Sequence, residues 1–255
     1  MLKMPATFTG ELSASGPMDW TNVRAVYKKL QDDFHLLTEP FGIFVPKDRN
    51  RDLAQLIGAI DVVDRELDRI EEVQAREVFI TNVLSFLRGD SSELNVEASD
   101  ELVDRMMILR EAIERLGIQK KFCDTVREVV DHGEAKRLAS TNDGMIHHLV
   151  EEWRLTGTLP VLLLREFSTP ALEKFFYLCC ATMLAIDMLQ DARMDYRNGQ
   201  IGVRPSIGLH LKLLRVFCRP LPKLVFLFPS PLTLFRYAFS FVCQGIRGHA
   251  NLQKS

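Results

Sequence analysis

Seven acidic side chains in this chain recur at spacings that line them up along helix sides. Asp187, Asp191 and Asp195 stand at i, i+4 and i+8, which stacks them over two turns of a helix. Asp61, Asp64, Asp68 and Glu72 stand at i, i+3, i+7 and i+11, again on one side. Taken alone, the second set also suits the solvated face of an amphipathic helix, since Val63, Leu67 and Ile70 lie opposite. The pair is more informative. Each set contains D-x-x-x-D, Asp64/Asp68 and Asp191/Asp195, and if the two helices face each other four to six carboxylates converge. Oxygen-only ligation of this kind suits Mg²⁺, which keeps several waters and is shared with substrate phosphates.

The residues before Asp187 add a second property. From Ala171 to Leu189 the chain is apolar nearly all round, with Phe175, Phe176, Leu178, Cys179, Cys180, Met183 and Leu184, the pattern of a buried helix. Carboxylates that emerge from such a helix must be paired, protonated or metal-bound. An apolar floor beneath an acidic, cation-binding rim is therefore expected. No Gly-rich phosphate loop occurs, which argues against a nucleoside triphosphate fold. No Cys/His spacing fits zinc, and adjacent His147 and His148 point in different directions on a helix.

The elements that must carry these groups read as helices throughout. Residues 1–18 are rich in Pro, Gly, Ser and Thr and are expected to be irregular; residues 19–255 form one domain. Asp19 caps a helix to about Leu37. Further helices are expected over about 49–73, 75–87, 99–117, 118–131, 134–139 and 142–156, the last ended by Gly157. Pro160 starts a short apolar segment. Thr169 and Pro170 then open the central helix as cap and N1 residue, and Gly199 stops it. No period-2 strand is visible, so the fold is all-α, a single bundle of roughly eight to ten helices.

With 255 residues, 47% apolar and 26% charged, the chain can bury a sizeable core. Its five cysteines, Cys123, Cys179, Cys180, Cys218 and Cys243, read as buried thiols of a reducing, cytoplasmic setting. The net charge of −2 hides an asymmetry. No acidic residue follows Asp195, while nine basic ones do, so residues 1–195 carry −11, nine below the whole chain. The basic, apolar helices of residues 206–255 are expected to neutralise the acidic body, a phosphate-bearing ligand or an anionic membrane surface; no nucleic-acid partner is expected. Leu224–Cys243 has one charge, Arg236, but Pro229 and Pro231 interrupt it. It reads as core helices first, with peripheral membrane contact and a span as alternatives.

The stretch Asp187-x-x-x-Asp191-x-x-x-Asp195, followed by Arg197, Asn198, Gly199 and Pro205, resembles the second motif of the squalene/phytoene synthases. That motif reads N-x-x-x-D-x-x-x-D and precedes a Gly-Arg-Tyr-x-Pro-like stretch. The helix with Asp64 and Asp68 is similar to that family's first D-x-x-x-D, at a comparable separation. The wider group is the all-α class I isoprenoid synthases, including class IB terpene synthases, and the resemblance covers roughly residues 20–205. Asp187 replaces the family's asparagine, and Gln190 a residue that is often Arg. Where a Tyr-x-x-x-Ala-Gly stretch is usual, this chain has His147-His148-Leu149-Val150-Glu151-Glu152-Trp153-Arg154. These departures favour a cyclase or lyase over a two-substrate condensing enzyme.

The resemblance implies a bundle with a central apolar cavity and up to three Mg²⁺ ions that bridge a prenyl diphosphate, farnesyl or geranylgeranyl in class. Asp64, Asp68, Asp191 and Asp195 would hold the metals, with Asp61 and Asp187 as further or supporting ligands. Arg193, Arg197, Arg204 and Lys28 (or Lys29) are candidates for the diphosphate clamp, Arg being suited to bidentate phosphate contact, and Tyr196 lies beside them. Phe176, with Tyr177, Phe79, Phe86 and Trp153, could present aromatic faces to a carbocation, although each also reads as an ordinary core residue. Glu151, Glu152 and Arg154 read as a solvated helix face. Two rivals remain: a head-to-head prenyl synthase, and a non-enzymatic helical protein whose tail binds a partner or membrane.

Overall fold

The computed structural model describes residues 34–94, 99–236 and 239. The expected irregular segment 1–18, most of the helix opened by Asp19, Lys28, Cys243 and the last basic residues lie outside these, as do the side chains of Met183, Leu184, Ile186, Asp187 and Gln190. Among the described residues the fold is an all-α bundle without strands, built from α1 (Phe34–Thr38), α2 (Lys47–Arg69), α3 (Val73–Arg88), α4 (Asp100–Arg115), α5 (Gln119–Leu138), α6 (Asn142–Leu163), α7 (Pro170–Arg197), α8 (Ile207–Cys218) and α9 (Leu221–Leu227). A short 3₁₀ turn, Glu39–Phe41, follows α1, and residues 231–236 are again helical. No helix of the described residues is long and apolar enough to cross a membrane.

Local chemistry sets the ends of these helices. Ser99 Oγ accepts from the Leu102 N–H at 3.4 Å, Thr141 Oγ1 from Gly144 at 3.1 Å, Thr169 Oγ1 from Leu172 at 3.2 Å and Ser206 Oγ from Leu209 at 3.2 Å. Each hydroxyl thereby satisfies an N–H that the first turn leaves unpaired. Gly89 and Gly199 stop α3 and α7 with φ of 84° and 70°, a left-handed conformation that costs glycine little. Ile70 leaves the helical region at φ −92°, ψ 107°, so α2 and α3 meet at a corner beside the acidic stretch.

Two expected breaks are absent. Helix α5 runs unbroken where two short helices were expected, and α6 continues through Gly157 and Pro160 to Leu163. Gly157 serves packing: a Cβ built there would lie 2.9 Å from Cys180 Sγ and 2.9 Å from the Phe176 carbonyl oxygen. Helices α6 and α7 touch backbone to side chain at that point.

The core has two parts. The larger draws on α2 to α7 and closes over an aromatic cluster, in which Phe34 stacks on Phe176 at 5.4 Å and Phe228 lies 4.8 Å from Phe175. The smaller holds Met145, Leu149, Met188, Ala192, Ile201, Leu209 and Leu213, beneath the acidic end of α7. That helix is not buried on every side, since Tyr177 and Met194 are exposed. Across the bundle, buried Asp52 accepts from Arg115 Nη2 at 2.7 Å and from Arg49 Nη1 at 3.3 Å, while Arg49 also reaches Glu166 at 3.0 Å. Those contacts tie α2 to α4 and to the loop before α7.

Candidate active site

Helix α2 turns its acidic residues two ways. Asp61 is fully buried, and Arg65 Nε lies 3.3 Å from its carboxylate. Arg65 continues to Glu101 of α4 at 3.2 Å, where Arg105 joins at 2.9 Å. Burial alone would push the Glu101 carboxyl up, but the hydrogen bonds from Arg105 and Arg65 outweigh it and hold it below the ordinary range. This arrangement makes Asp61 part of an internal ion-pair chain that joins α2 to α4.

Half-buried Asp64 and exposed Asp68 belong to a different neighbourhood. Both act electrostatically on Arg76, at the start of α3, and Asp64 also acts on Glu152 of α6. Arg76 is 7% exposed and its Nη2 lies 2.8 Å from Glu134 of α5. Its Nε is buried with no hydrogen-bond partner among the described residues. Burial and then Arg137 lower its pKa, opposed by Glu134, Asp68 and Asp64. A buried guanidinium N–H without an acceptor is costly; the charge of Arg76 is balanced by Glu134, and Asp68 and Asp64 add to its negative surroundings.

Beside it, Lys136 Nζ and Glu152 Oε2 pair at 2.7 Å, each side chain about 15% exposed or less. Gly133 lets the Glu152 carboxylate lie against α5, within 3.5 Å of where a Cβ would stand. Burial pushes the Glu152 carboxyl above its ordinary range; Lys136 pulls it back and Asp64 adds to the push. The solvated face expected for Glu152 is thus corrected to an interior ion pair. Replacing Lys136 with Met is expected to cost about 3 kcal/mol at neutral pH, the usual penalty for stranding a buried charge. Because the folded-state pKa of Glu152 is raised, stability is lost as pH rises from the unfolded value toward the folded one. Urea unfolding should therefore show a smaller Lys136→Met deficit at pH 5 than at pH 8.

Three histidines complete this wall. His132 and His148 bring their Nδ1 atoms to 3.1 Å, and the His147 ring lies 5.1 Å from that of His148. One ring of the closer pair must be neutral at Nδ1 to accept the other's proton. Burial, then His147 and His132, lower the pKa of His148. The unfolded chain takes up protons below about pH 6.5 where native His148 resists, so melting temperature is expected to fall between pH 7.5 and 5.5. A His132→Phe variant, measured by the same scan, should fall less.

Helix α7 supplies half-buried Asp191 and Asp195. The Asp195 carbonyl accepts from the Gln200 N–H at 2.8 Å as the chain turns back at Gly199. Gly202 then packs so closely on α5 that a Cβ would meet the Arg137 carbonyl oxygen and lie 2.6 Å from that of Ala139. Arg76 thus ties the start of α3 to α5 through Glu134, and Gly202 packs the turn after α7 on the end of α5.

The remaining candidates are spread more widely. Arg193, Tyr196, Arg197 and Arg204 are exposed around the end of α7. Phe176 is buried in the core against Phe34 and Phe175, in line with its reading as an ordinary core residue. Phe86 and Tyr177 already carry the guanidinium groups of Arg110 and Arg154, at 4.9 and 5.1 Å. A cavity of about 520 Å³ opens on the flank between α6, α7, α8 and α9, lined by apolar Ile146, Val150 and Leu178 and by charged Asp143, Glu151 and Arg154; Asp64, Asp68, Asp191 and Asp195 do not line it. Among the described residues no three His, Cys, Asp or Glu side chains converge to hold an ion by themselves. The convergence of four to six carboxylates expected from the sequence is thus not seen among the described residues, which exclude the Asp187 side chain.

Arg76, Glu152, Lys136 and the histidine cluster were invisible in the sequence, since their partners lie on other helices. Compared with protein-family models, with curated proteins and with solved structures, the chain matches none.

Proposed function

We propose that this chain is a Mg²⁺-dependent enzyme of the class I isoprenoid synthase kind, which ionises a prenyl diphosphate and releases diphosphate. The reading rests on the two D-x-x-x-D pairs, Asp64/Asp68 and Asp191/Asp195, whose chain neighbours Arg76 and Gly202 both pack on α5, Arg76 through Glu134 and Gly202 against the Arg137 and Ala139 carbonyl oxygens. When bound, Mg²⁺ supplies Lewis-acid stabilisation to the departing diphosphate. The aspartates orient the metal-bearing head group from two sides. If the site opens to admit the head group, Arg76 would donate its buried Nε–H to a phosphate oxygen, a charge-assisted bond. Arg193, Arg197 and Arg204 neutralise the leaving group at the outer edge of α7.

The hydrocarbon must then lie in an apolar, water-excluding space. Phe176 and the core aromatics are already packed and the flank cavity has Asp143, Glu151 and Arg154 in its wall, so the reading requires space that opens between the aspartate helices. A one-substrate cyclase or lyase is the preferred form; a head-to-head synthase needs room for two diphosphates.

The test is turnover of geranyl, farnesyl and geranylgeranyl diphosphates with Mg²⁺, following pyrophosphate release and the extracted organic product. Metal-dependent release of one hydrocarbon or alcohol supports the reading, and product size separates cyclase from condensing enzyme. No consumption of any of the three, with a folded protein, overturns it. An independent readout is thermal stabilisation by Mg²⁺ and pyrophosphate together, about 2.7 kcal/mol at a hundredfold excess over Kd.

A further inference from the structure

Eight of the fifteen exposed large hydrophobic side chains among the described residues fall between positions 207 and 239: Ile207, Leu211, Leu214, Val225, Phe226, Leu232, Phe235 and Phe239. Helix α8 shows how they are arranged. Leu209 and Leu213 turn into the core, while Ile207, Leu211, Leu214 and exposed Cys218 form a second stripe at i, i+4, i+7 and i+11. Lys212, Arg215 and Arg219 occupy the sector between the two stripes. A helix that needed only to pack on the bundle requires one apolar stripe; this one has two, with cations along the outer one. In the next segments Phe226 is 90% exposed, and Leu232, Phe235 and Phe239 share a side at i, i+3 and i+7.

We infer that α8, α9 and the helical segment from 231 form a docking face for an anionic lipid surface. The charge on these segments chooses the occupant. No acidic residue follows Asp195, and Arg215, Arg219, Lys223 and Arg236 make no ion pair among the described residues, Lys212 alone reaching Asp143 at 2.6 Å. A second copy that met this face with its own would set like charges against each other. A bilayer with anionic headgroups instead accepts Phe, Leu and Ile at the acyl boundary, while Lys and Arg extend to the phosphates. Since no described helix can span a membrane, the contact is peripheral. The flank cavity carries Arg219, Pro220 and Lys223 on its rim, so docking places its mouth next to the lipid.

The test is flotation of the full chain with vesicles of phosphatidylcholine alone and with about one-third phosphatidylserine. Binding to the mixed vesicles is expected, weakened by salt, with little binding to phosphatidylcholine alone. Leu211→Asp with Phe226→Asp, and separately Arg215→Glu with Lys223→Glu, should each lower partitioning about tenfold or more. Unchanged circular dichroism and melting would show that these exposed substitutions leave the fold intact. Absence of flotation with either vesicle by folded wild-type protein overturns the inference. So does binding that both variants retain, or a dimer in solution that the Leu211→Asp/Phe226→Asp variant dissolves.

Discussion

Asp191→Asn is expected to lower Mg²⁺-dependent pyrophosphate release from a prenyl diphosphate about a thousandfold, the scale seen when one charge-stabilising group is removed from a transition state. Asparagine keeps the volume and one oxygen but loses the charge that holds a divalent cation. Asp191 lies half-buried near the end of α7, above the small core of Met188 and Ala192, and the isosteric change is expected to leave the melting transition within about 0.5 kcal/mol. Asp64→Asn, on the other helix, should behave alike, and the double variant should be little worse than either, because groups that share one metal-bound head act as a unit. The joint stabilisation by Mg²⁺ and pyrophosphate should vanish in parallel. If both variants turn over at wild-type rate, the aspartates are structural. If they lose only stability, Asp61 with its Arg65 partner becomes the pattern for all of them.

Gly157→Val is expected to destabilise the fold by forcing α6 away from α7. Its Cβ would stand 2.9 Å from Cys180 Sγ and from the Phe176 carbonyl oxygen, and 3.0 Å from Cys180 Cβ. The sulfur can rotate aside, but the carbonyl belongs to the α7 backbone. Overpacking of this kind costs about 1–3 kcal/mol or more, and valine's branch adds to it. Gly157→Ala is the milder probe: alanine regains about 1 kcal/mol of helix propensity, so a net loss of roughly 1–2 kcal/mol is expected by denaturant unfolding. Adding Cys180→Ala should recover only part of it, because the Phe176 oxygen remains. A Gly157→Ala protein as stable as wild type would mean that α6 and α7 are not in close contact there.

Gly157 also shows where sequence reasoning stops. A lone glycine after an amphipathic run reads as a terminator, and only the partner helix reveals it as a contact point. End signals that act within one turn were legible: Ser99, Thr169 with Pro170, and Gly199 all cap or stop their helices as read. The all-α class followed from periodicity alone. What spacing could not convey is which acid faces which base. Asp61 and Asp64 are three residues apart, yet one is sealed against Arg65 and the other faces Arg76 and Glu152. Glu152 looked solvated because its neighbours Glu151 and Arg154 are charged, and those two do pair with each other at 2.6 Å. The histidines at 147 and 148, expected to point in different directions, bring their rings to 5.1 Å and both meet His132 from the preceding helix.

The order in which the helices pack bears on how the chain reaches this state. The densest packing is between consecutive elements, α5 on α6, α6 on α7 and α7 on α8, with α2 on α4 the chief exception. Contacts so close in sequence are cheap in loop-closure entropy and favour rapid folding. Each hairpin from α5 onward can close as soon as its second helix leaves the ribosome. Arg76 at the start of α3, made early, waits for α5 to supply Glu134, and Glu152 of α6 completes its pair with Lys136 later still. The polar site is therefore assembled late, on a scaffold that has already formed.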